Sequence, residues 1–434
     1  MAFAAALTWV LPAGNFDRAD DPATGRRVVV AGTYHRVERA PVGPFAAAVS
    51  VPRGFVAGAE VIAVVLFVGG AWVVVDRLGT LPALVNVFVR RFRRRGGRWA
   101  IPLVCLFFAV MGALENMQEE IIPLVPVLLV LGQGLGVDAI TVVAMSAGAA
   151  MIGSAFGPTN PFQAGIALKL AQLPPFAGGG LRLVMFFVGL ATWIAWTMRH
   201  AARGTPEPIA KADAIVETAT LPAKHVAILI VVLSPMAAYV YGALRLDWGF
   251  NELSGGFLIA GIAAGLMGGF GVAGTLAAYV EGAQSLLPAA LMIGVARSIS
   301  LVLEDGHVVD TILNGLVTPL ARVPSAVGAF LQIPAQALVH VVVPSVSGQA
   351  VLTMPLFVPL TDLLGISRQA AVLAYQTGAG LTELITPTNG ALMAVLLAAG
   401  VPFERWVRFV VGGVLAAAAV GIAAIAAVIW FGAG

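Results

Sequence analysis

Apolar stretches of about 20 residues recur along the chain, and they restrict the folds that it can adopt. Each is long enough to cross a hydrocarbon core of about 30 Å. In lipid the backbone must satisfy its own hydrogen bonds, which leaves helices or closed barrels as spanning structures. The clearest stretches are Phe55–Val75, Leu181–Met198, His225–Tyr241, Gly256–Val272 and Phe409–Trp430. None shows the period-two alternation of a transmembrane β-barrel, so the sequence predicts an all-α polytopic membrane protein.

Charge is scarce in this chain. Charged residues make up 11% of its 434 residues, against about 25% in soluble domains. The net charge of +3 comes from cations in short loops, which is not the pattern of a nucleic-acid-binding protein. Basic residues near membrane ends mark the cytoplasmic side, so we expect the Arg-rich loops to lie inside. The expected location is the bacterial cytoplasmic (inner) membrane. The main cations are Arg90, Arg91, Arg93, Arg94, Arg95, Arg98, Arg199, Arg203, Lys211, Lys224, Arg405 and Arg408.

Two apolar stretches are interrupted by the same motif in matched register. Gly157–Pro161 has the sequence Gly-Pro-Thr-Asn-Pro, and Thr386–Gly390 has Thr-Pro-Thr-Asn-Gly, 229 residues later. At this offset nine of the 35 positions from Pro126 to Asn160 are identical. Proline breaks a helix by removing a donor, and paired broken helices in two halves point to the substrate site of a secondary transporter. One motif could be a simple kink, whereas two in register favour paired discontinuous helices.

A pair of short apolar arms, joined by a polar segment, precedes each motif. Trp99–Leu114 and Ile121–Leu131 flank Glu115–Glu120, and Ala326–Val343 and Ala350–Leu360 flank Pro344–Gln349. If the first two arms crossed the membrane fully, they would be short and their connection would be an external loop. A re-entrant hairpin explains both the short arms and a buried polar tip. We therefore predict an inward hairpin at about 99–132 and an outward hairpin at about 320–361.

These elements predict two inverted repeats. Repeat one covers 41–200 with a broken helix at about 138–172, and repeat two covers 276–434 with a broken helix at about 367–397. Residues 201–275 are expected to form a cytoplasmic connector and linking helices. Residues 1–40 are expected to hold a truncated first helix and an external loop, since Met1–Leu11 is apolar but too short to span.

Polar residues at the breaks and the hairpin tips are the candidate ligands. Freed carbonyls and side-chain oxygens suit a small hard cation, and amides at half-helix N-termini suit a carboxylate. The predicted substrate ligands are Asn116, Gln118, Glu119, Glu120, Thr159, Asn160, Ser345, Ser347, Gly348, Gln349, Thr388, Asn389 and Arg297. The predicted ion-coupling residues are Glu119, Glu120, Gly157, Thr159, Asn160, Thr386 and Thr388.

Carboxylates cluster in the first tip, at Glu115, Glu119 and Glu120. One acidic side chain at mid-membrane costs about 2.5–3.5 kcal/mol, so a cluster there requires a reason. Adjacent desolvated carboxylates rarely both stay ionised because like charges repel. Glu119 and Glu120 are therefore candidates for proton or cation coupling, while the structural alternative is that Glu115 caps the turn.

Two further charges lie in apolar segments. Arg297 could meet a substrate carboxylate or form a buried ion pair. Glu383 precedes Thr386 by nearly one helical turn and could face the same cavity. The histidines His35, His200, His225, His307 and His340 show no metal-binding spacing, and there is no HExxH, GxSxG or P-loop pattern. We expect neither an enzyme nor a cofactor, with Na⁺ or H⁺ as a possible coupling ion.

Several segments resemble the YfcC-like branch of the C4-dicarboxylate anaerobic carrier family. They are Val343–Leu356, Glu281–Ala283 with Pro288–Ala290, Leu7–Pro12 and the Glu119–Glu120 pair. The resemblance implies the ion-transporter superfamily fold, with inverted repeats, hairpins, a homodimer and elevator-like motion. Superfamily relatives carry a Ser-Asn-Thr type motif at the hairpin tips, and neither Asn116–Glu120 nor Ser345–Gln349 contains it. The branch is also associated with arginine–ornithine exchange, which acidic site residues would suit.

The sequence thus favours a secondary active transporter, an H⁺- or Na⁺-coupled symporter or an exchanger. Its substrate would be a small carboxylate-bearing metabolite, either an amino acid or a C4-dicarboxylate, carried by an elevator mechanism. One alternative is a basic amino-acid exchanger. A passive channel would leave the paired hairpins unexplained, and an intramembrane enzyme would need a nucleophile–base or metal constellation.

The carboxylate pair gives a first prediction. Replacing both Glu119 and Glu120 by Gln should abolish transport or its pH dependence, because the desolvated carboxylates would supply the coupling charge. Uptake into proteoliposomes at several pH values measures this. Unchanged flux and an unchanged pH profile would contradict the assigned role.

Overall fold

The computed structural model describes residues 1–21, 26–81, 83, 84, 87, 99–158, 160–174, 177–203, 221–246 and 248–431. This part of the chain is mostly helical. Six of its helices are long and apolar enough to cross a membrane, or seven if one bent helix is included. Lys211 and the arginines between 90 and 98 lie outside the described residues, as does most of the basic segment to which they belong.

The helices are labelled here in chain order. They are α1 (Ala2–Val10), α2 (Pro44–Ala57), α3 (Ala59–Arg77), α4 (Ala100–Glu115), a 3₁₀ segment (Glu119–Leu124), α5 (Val125–Leu135), α6 (Ala139–Phe156), α7 (Pro161–Gly165 continued by Ile166–Leu170), α8 (Gly179–Arg203), α9 (Ala223–Arg245), α10 (Phe250–Gly268), α11 (Gly271–Asp305), α12 (Val309–Leu320), α13 (Ser325–Val342), α14 (Val346–Leu363), α15 (Arg368–Thr382), α16 (Gly390–Ala398) and α17 (Phe403–Phe431). The largest apolar core lies among α3, α4, α6, α8, α11, α15, α16 and α17.

Short strands interrupt the helical fold near the N-terminus. β1 (Gly14–Asn15) pairs antiparallel with β4 (His35–Arg36), and β2 (Arg18–Asp21) pairs with β3 (Arg26–Val29). The all-α prediction misses this segment, which was expected only as a mixed-charge loop, because strands of two to four residues are too short to show a period. Asp310 at the start of α12 anchors it, accepting from Phe16 N at 2.8 Å and forming an ion pair with Arg18 at 3.0 Å.

The start of α6 is fixed by a charged cap. Asp138 Oδ1 accepts from Thr141 N at 2.9 Å, and its Oδ2 lies 3.0 Å from His200 Nε2 at the end of α8. Burial opposes ionisation of this carboxyl, but the hydrogen bonds from His200 and Thr141 outweigh it and lower the pKa of Asp138 to about 2. The contact therefore ties the first half of the broken helix to α8.

α11 differs from the prediction in its length. It joins the expected span Leu286–Leu303 to a preceding segment that starts at Gly271, so the predicted start of repeat two at 276 lies inside a helix. The two parts of α11 are bent by 41° between Pro288 and Ile293. Proline removes a backbone donor and clashes with the preceding turn, which accounts for the bend. α11 packs along both α2 and α3.

α4 and α6 approach each other so closely that two glycines have no room for a side chain. A Cβ atom at Gly153 would overlap Ala109 O, and one at Gly112 would overlap Ala150 O. The obstacles are backbone atoms, which cannot rotate away as a side chain could. Small residues of this kind allow close helix packing in membranes, and here they hold the first arm of one hairpin against a broken helix.

This close approach predicts that Gly153→Ala destabilises the protein. Overpacking costs about 1–3 kcal/mol, which exceeds the gain of about 1 kcal/mol that Ala usually brings to a helix. Gly180→Ala in α8 is the matched control, since open space surrounds Gly180, and it should be neutral or slightly stabilising. The melting temperatures of the two variants can be compared by heating the detergent-solubilised protein and measuring the remaining folded fraction by size-exclusion chromatography. Equal melting temperatures would contradict the packing argument.

Candidate functional site

The first hairpin turns at Asn116, directly after α4. Asn116 has a left-handed backbone with φ 62°, a conformation that Asn adopts more readily than most residues. Its Oδ1 accepts a hydrogen bond from Ser154 Oγ in α6. Glu120 Oε2 accepts from Gln118 N at 3.1 Å, which stabilises the tip internally. The side chain of Glu115 lies outside the described residues.

The second hairpin has a shorter tip than predicted. α13 ends at Val342 and α14 begins at Val346, because Ser345 Oγ accepts from Gly348 N at 3.2 Å and caps the helix. Gly348 and Gln349 thus belong to the first turn of α14. Gln349 is fully buried and faces α13, so the structure does not place it where a substrate ligand was predicted.

The first break is closed by its own asparagine. Asn160 Oδ1 accepts from Phe162 N and Gln163 N, both at 2.9 Å. Its Nδ2 donates to Gly112 O at 2.9 Å and to Ser154 Oγ at 3.1 Å. Asn160 is fully buried, and its polar atoms are used to cap α7 and tie it to α4. Thr159, the predicted ligand beside it, lies outside the described residues.

The second break begins earlier than the proline motif indicates. α15 ends at Thr382 and α16 begins at Gly390, so the break covers 383–389 instead of Thr386–Gly390. The backbone can leave the helix there because Leu384 O accepts from Trp406 Nε1 at 2.8 Å. Asn389 repeats the role of its counterpart, since its Oδ1 accepts from Leu392 N at 3.1 Å and caps α16.

The two broken helices contact each other. α15 packs against the second half of α6. There Gln376 Nε2 donates to Ala155 O at 3.2 Å and to Gly157 O at 3.4 Å. The carbonyl of Gly157 is therefore used in the contact between the two helices. The hydroxyl of Thr386 is used within its own break, since its Oγ1 lies 2.7 Å from Thr388 Oγ1.

A cavity of about 380 Å³ lies between the two tips and the second break. Its polar lining is Asn116, Gln118, Glu119, Glu120, Arg297, Ser345, Ser347, Glu383, Thr388 and Asn389. Apolar contacts come from α2, α7, α9, α10 and α11. The structure thus brings together nine of the predicted substrate ligands. It does not bring Asn160, Gly348 or Gln349 to the lining, nor the predicted ion ligands Gly157 and Thr386.

The charges in the cavity are unequal. Three carboxylates, those of Glu119, Glu120 and Glu383, face one guanidinium, that of Arg297. Glu383, in the second break, is 4% exposed. Its Oε2 accepts a hydrogen bond from Nε2 of Gln118, which belongs to the tip of the first hairpin. Arg297 is partly exposed, and its charge interacts with that of Glu304 on the same helix. The cavity therefore has more acidic than basic side chains in its lining.

Sequence reasoning placed Glu383 near this cavity but missed His340. His340 Nε2 lies 3.7 Å from Glu383 Oε1. A signal was present, since Gln332, Gln336 and His340 are spaced four residues apart in an apolar helix. This spacing puts them on one face, and all three are fully buried. This row of polar residues within a predicted hairpin arm could have indicated that His340 belongs to a buried polar face of the helix.

A family model described as DcuC, the C4-dicarboxylate anaerobic carrier, matches residues 1–429. The chain belongs to this carrier family. The carrier is 31% identical over 450 residues to the Escherichia coli protein named "Putative basic amino acid antiporter YfcC", covering 92% of this chain and 88% of that protein. The predicted family is confirmed, and the carrier is a multi-pass membrane transporter.

Two more distant proteins are also similar to the carrier. An uncharacterized protein of Haemophilus influenzae is 27% identical over 469 residues, covering 94% of this chain and 91% of its own. The crystal structure of the Alcanivorax borkumensis YdaH transporter, described as having an unusual topology, covers 99% of this chain and 97% of its own. Its TM-score of 0.45 and identity of 17% are too low to bear on the carrier's fold.

The first break yields a prediction about Asn160. Asn160→Ala removes a helix cap, worth about 0.5–2 kcal/mol, and the buried hydrogen bonds from Asn160 Nδ2 to Gly112 O and Ser154 Oγ, each worth about 0.5–1.5 kcal/mol. We therefore expect a clear fall in the melting temperature of the purified carrier. Asn251→Ala is the control, because Asn251 is exposed and makes one 3.3 Å contact to Glu60. Similar melting of both variants would contradict the structural role.

Proposed function

We propose that the carrier is a secondary active transporter of amino acids, with a preference for those that carry a second positive charge. The observation that supports this is the excess of acidic over basic side chains in the cavity, three glutamates against one arginine. Its volume of about 380 Å³ lies in the lower part of the range of about 300–1,000 Å³ for small-molecule sites. A substrate of amino-acid size fits such a space.

Electrostatics favours an amino acid over a C4-dicarboxylate. Two unit charges 4 Å apart interact with about 4 kcal/mol at an effective dielectric constant of 20. A dicarboxylate would add two negative charges beside the acidic residues Glu119 and Glu120, with Arg297 as the one basic residue of the lining. An amino acid places its α-carboxylate at Arg297 and its ammonium at the carboxylates. A cationic side chain adds a second attraction of the same kind.

The relative from Escherichia coli supports the same substrate class. Its printed name describes a basic amino acid antiporter, and the match covers most of both chains. The family description names C4-dicarboxylates, which share one carboxylate with an amino acid. Arg297 would serve the shared group, and the acidic residues of the first tip would select for the ammonium.

The order of elements supports an internal repeat, and we propose that the two repeats are inverted. In the first half a hairpin (α4 to α5) is followed by a broken helix (α6 and α7) and a long apolar helix (α8). In the second half the same order recurs as α13 and α14, then α15 and α16, then α17. We propose that the hairpins and broken helices move together against the remaining helices in an elevator-like cycle. Such a carrier would work as a homodimer in the bacterial cytoplasmic membrane.

Exchange in proteoliposomes tests the substrate class. Vesicles containing the purified carrier and preloaded with L-arginine should take up radiolabelled L-arginine with saturation, whereas radiolabelled succinate should not accumulate. Arg297→Gln should raise the KM for L-arginine at least tenfold, since a hydrogen bond to a charged group contributes about 1.5–3 kcal/mol. Arg322→Gln is the matched control, because Arg322 is exposed and does not line the cavity.

Other outcomes of the same assay are equally informative. Saturable exchange of succinate without exchange of arginine, lysine or ornithine would overturn the proposed substrate class. Flux that rises linearly with concentration, accompanied by ohmic conductance in planar bilayers, would indicate a channel. An unchanged KM in Arg297→Gln would remove Arg297 from the site.

A further inference from the structure

His340 is a fully buried histidine on α13 that does not line the cavity. Its Nδ1 lies 2.8 Å from Gln349 Oε1 on α14. Its Nε2 has no hydrogen-bond partner among the residues that the structure describes, and it lies 3.7 Å from Glu383 Oε1. A buried polar atom without a partner is costly, so this one requires an explanation.

The neighbouring glutamines fix the protonation of the ring. Gln349 Nε2 lies 2.8 Å from the backbone carbonyl of Gln336 and 2.8 Å from Gln336 Oε1. A backbone carbonyl can only accept, so the atom facing it must be the amide nitrogen of Gln349. Gln349 then presents its oxygen to His340, and Nδ1 must carry a hydrogen. In the neutral ring Nε2 is therefore an acceptor.

An acceptor nitrogen thus faces a carboxyl oxygen in a buried place. Two acceptors attract each other only when a proton lies between them, either on Glu383 or on His340. We propose that His340 and Glu383 together hold one exchangeable proton, and that the ammonium group of the substrate displaces it. This proposal rests on the amino-acid transport proposed above, and it identifies H⁺ as the coupling ion.

The surroundings connect this pair to the cavity. Glu383 lines the cavity, and the other charged groups there are Glu119 and Glu120 from the first tip and Arg297 from α11. From α15, Tyr375 is buried near Glu383, and its hydroxyl donates to Val346 O. Glu383 thus contacts both His340 and the cavity, because its Oε1 faces His340 while the residue forms part of the cavity wall. An ammonium group can therefore reach the carboxyl that holds the proton.

The exchange conserves charge and atoms. With the site empty of substrate, the proton bridges Glu383 and His340, and the pair carries no net charge. When an ammonium group binds to the Glu383 carboxylate, the proton leaves to water in the cavity and His340 stays neutral. One proton and one ammonium group compete for the same carboxylate, so each lowers the affinity for the other. A carrier that crosses the membrane with either one performs proton–amino acid antiport.

Infrared titration of the purified carrier tests the proton site without any substrate. The wild type should show a protonated carboxyl band that disappears as the pH rises, and Glu383→Gln should lack it. His340→Gln keeps a donor for Gln349 but removes the ring base, and it should move the titration midpoint to lower pH by one unit or more. His225→Gln is the matched control, since His225 contacts Thr80 away from the cavity, and its midpoint should equal that of the wild type.

Two results of this titration would overturn the proposal. One is a set of protonated carboxyl bands in Glu383→Gln that is the same as in the wild type, and the other is an unchanged midpoint in His340→Gln. If His340→Gln does not fold, His340→Asn replaces it. This variant also lacks the ring base, and it should likewise move the midpoint to lower pH.

Transport measurements separate this proposal from the substrate class. With a pH-sensitive dye inside proteoliposomes, external L-arginine should drive protons outward, and the KM for L-arginine should rise up to tenfold for each unit of pH decrease. Saturable L-arginine exchange with a KM independent of pH would overturn the proton site and leave the proposed function standing. A titrating carboxyl without transport of arginine, lysine or ornithine would overturn the proposed function and leave the proton site standing.

Discussion

The structure depends on how it satisfies the backbone where two helices are broken inside an apolar core. An unpaired amide or carbonyl in hydrocarbon costs several kcal/mol, so each break needs local partners. Asn160 and Asn389 supply them in the same way, each capping the half-helix that follows. Trp406 Nε1 donates to Leu384 O in the second break, and Asn160 Nδ2 donates to Gly112 O in addition to the backbone hydrogen bond from Asn116 N. Polar groups are concentrated at these points because the breaks require them.

The two breaks satisfy their backbone groups in the same way, but only the second break lies beside the cavity among the residues that the structure describes. Asn160 uses its polar atoms within the first half, so that break is closed. Asn389 and Thr388 line the cavity, and Gln118 from the first tip reaches Glu383 in the second break. The candidate site therefore lies where the tip of one half meets the break of the other. Among their described residues, one of the two matched motifs is therefore used for packing alone, while the other also lines the cavity.

Much of this arrangement could be predicted from the sequence because it is local. Proline with asparagine marks a break, and arm length with a polar tip marks a hairpin. Which polar atoms face the cavity could not be predicted, since that depends on contacts such as those of Gln349 with Gln336 and His340. From the sequence, Ser345 is predicted to be a tip residue, whereas in the structure it caps α14. The short strands could not be predicted because four residues are too few to show an alternating pattern.

The contact between Gln118 and Glu383 links the charge of the site to its shape. A carboxylate accepts a hydrogen bond about twice as strong as a neutral carboxyl does. If a proton on Glu383 is exchanged for a substrate ammonium, the oxygen facing Gln118 becomes part of a carboxylate, and the first tip is held more firmly to the second break. Asn389 Nδ2, 3.4 Å from Gln118 Oε1, would extend this hold to α16. Substrate loading would then stiffen the joint between the two halves, which is the property that an element moving as one body requires.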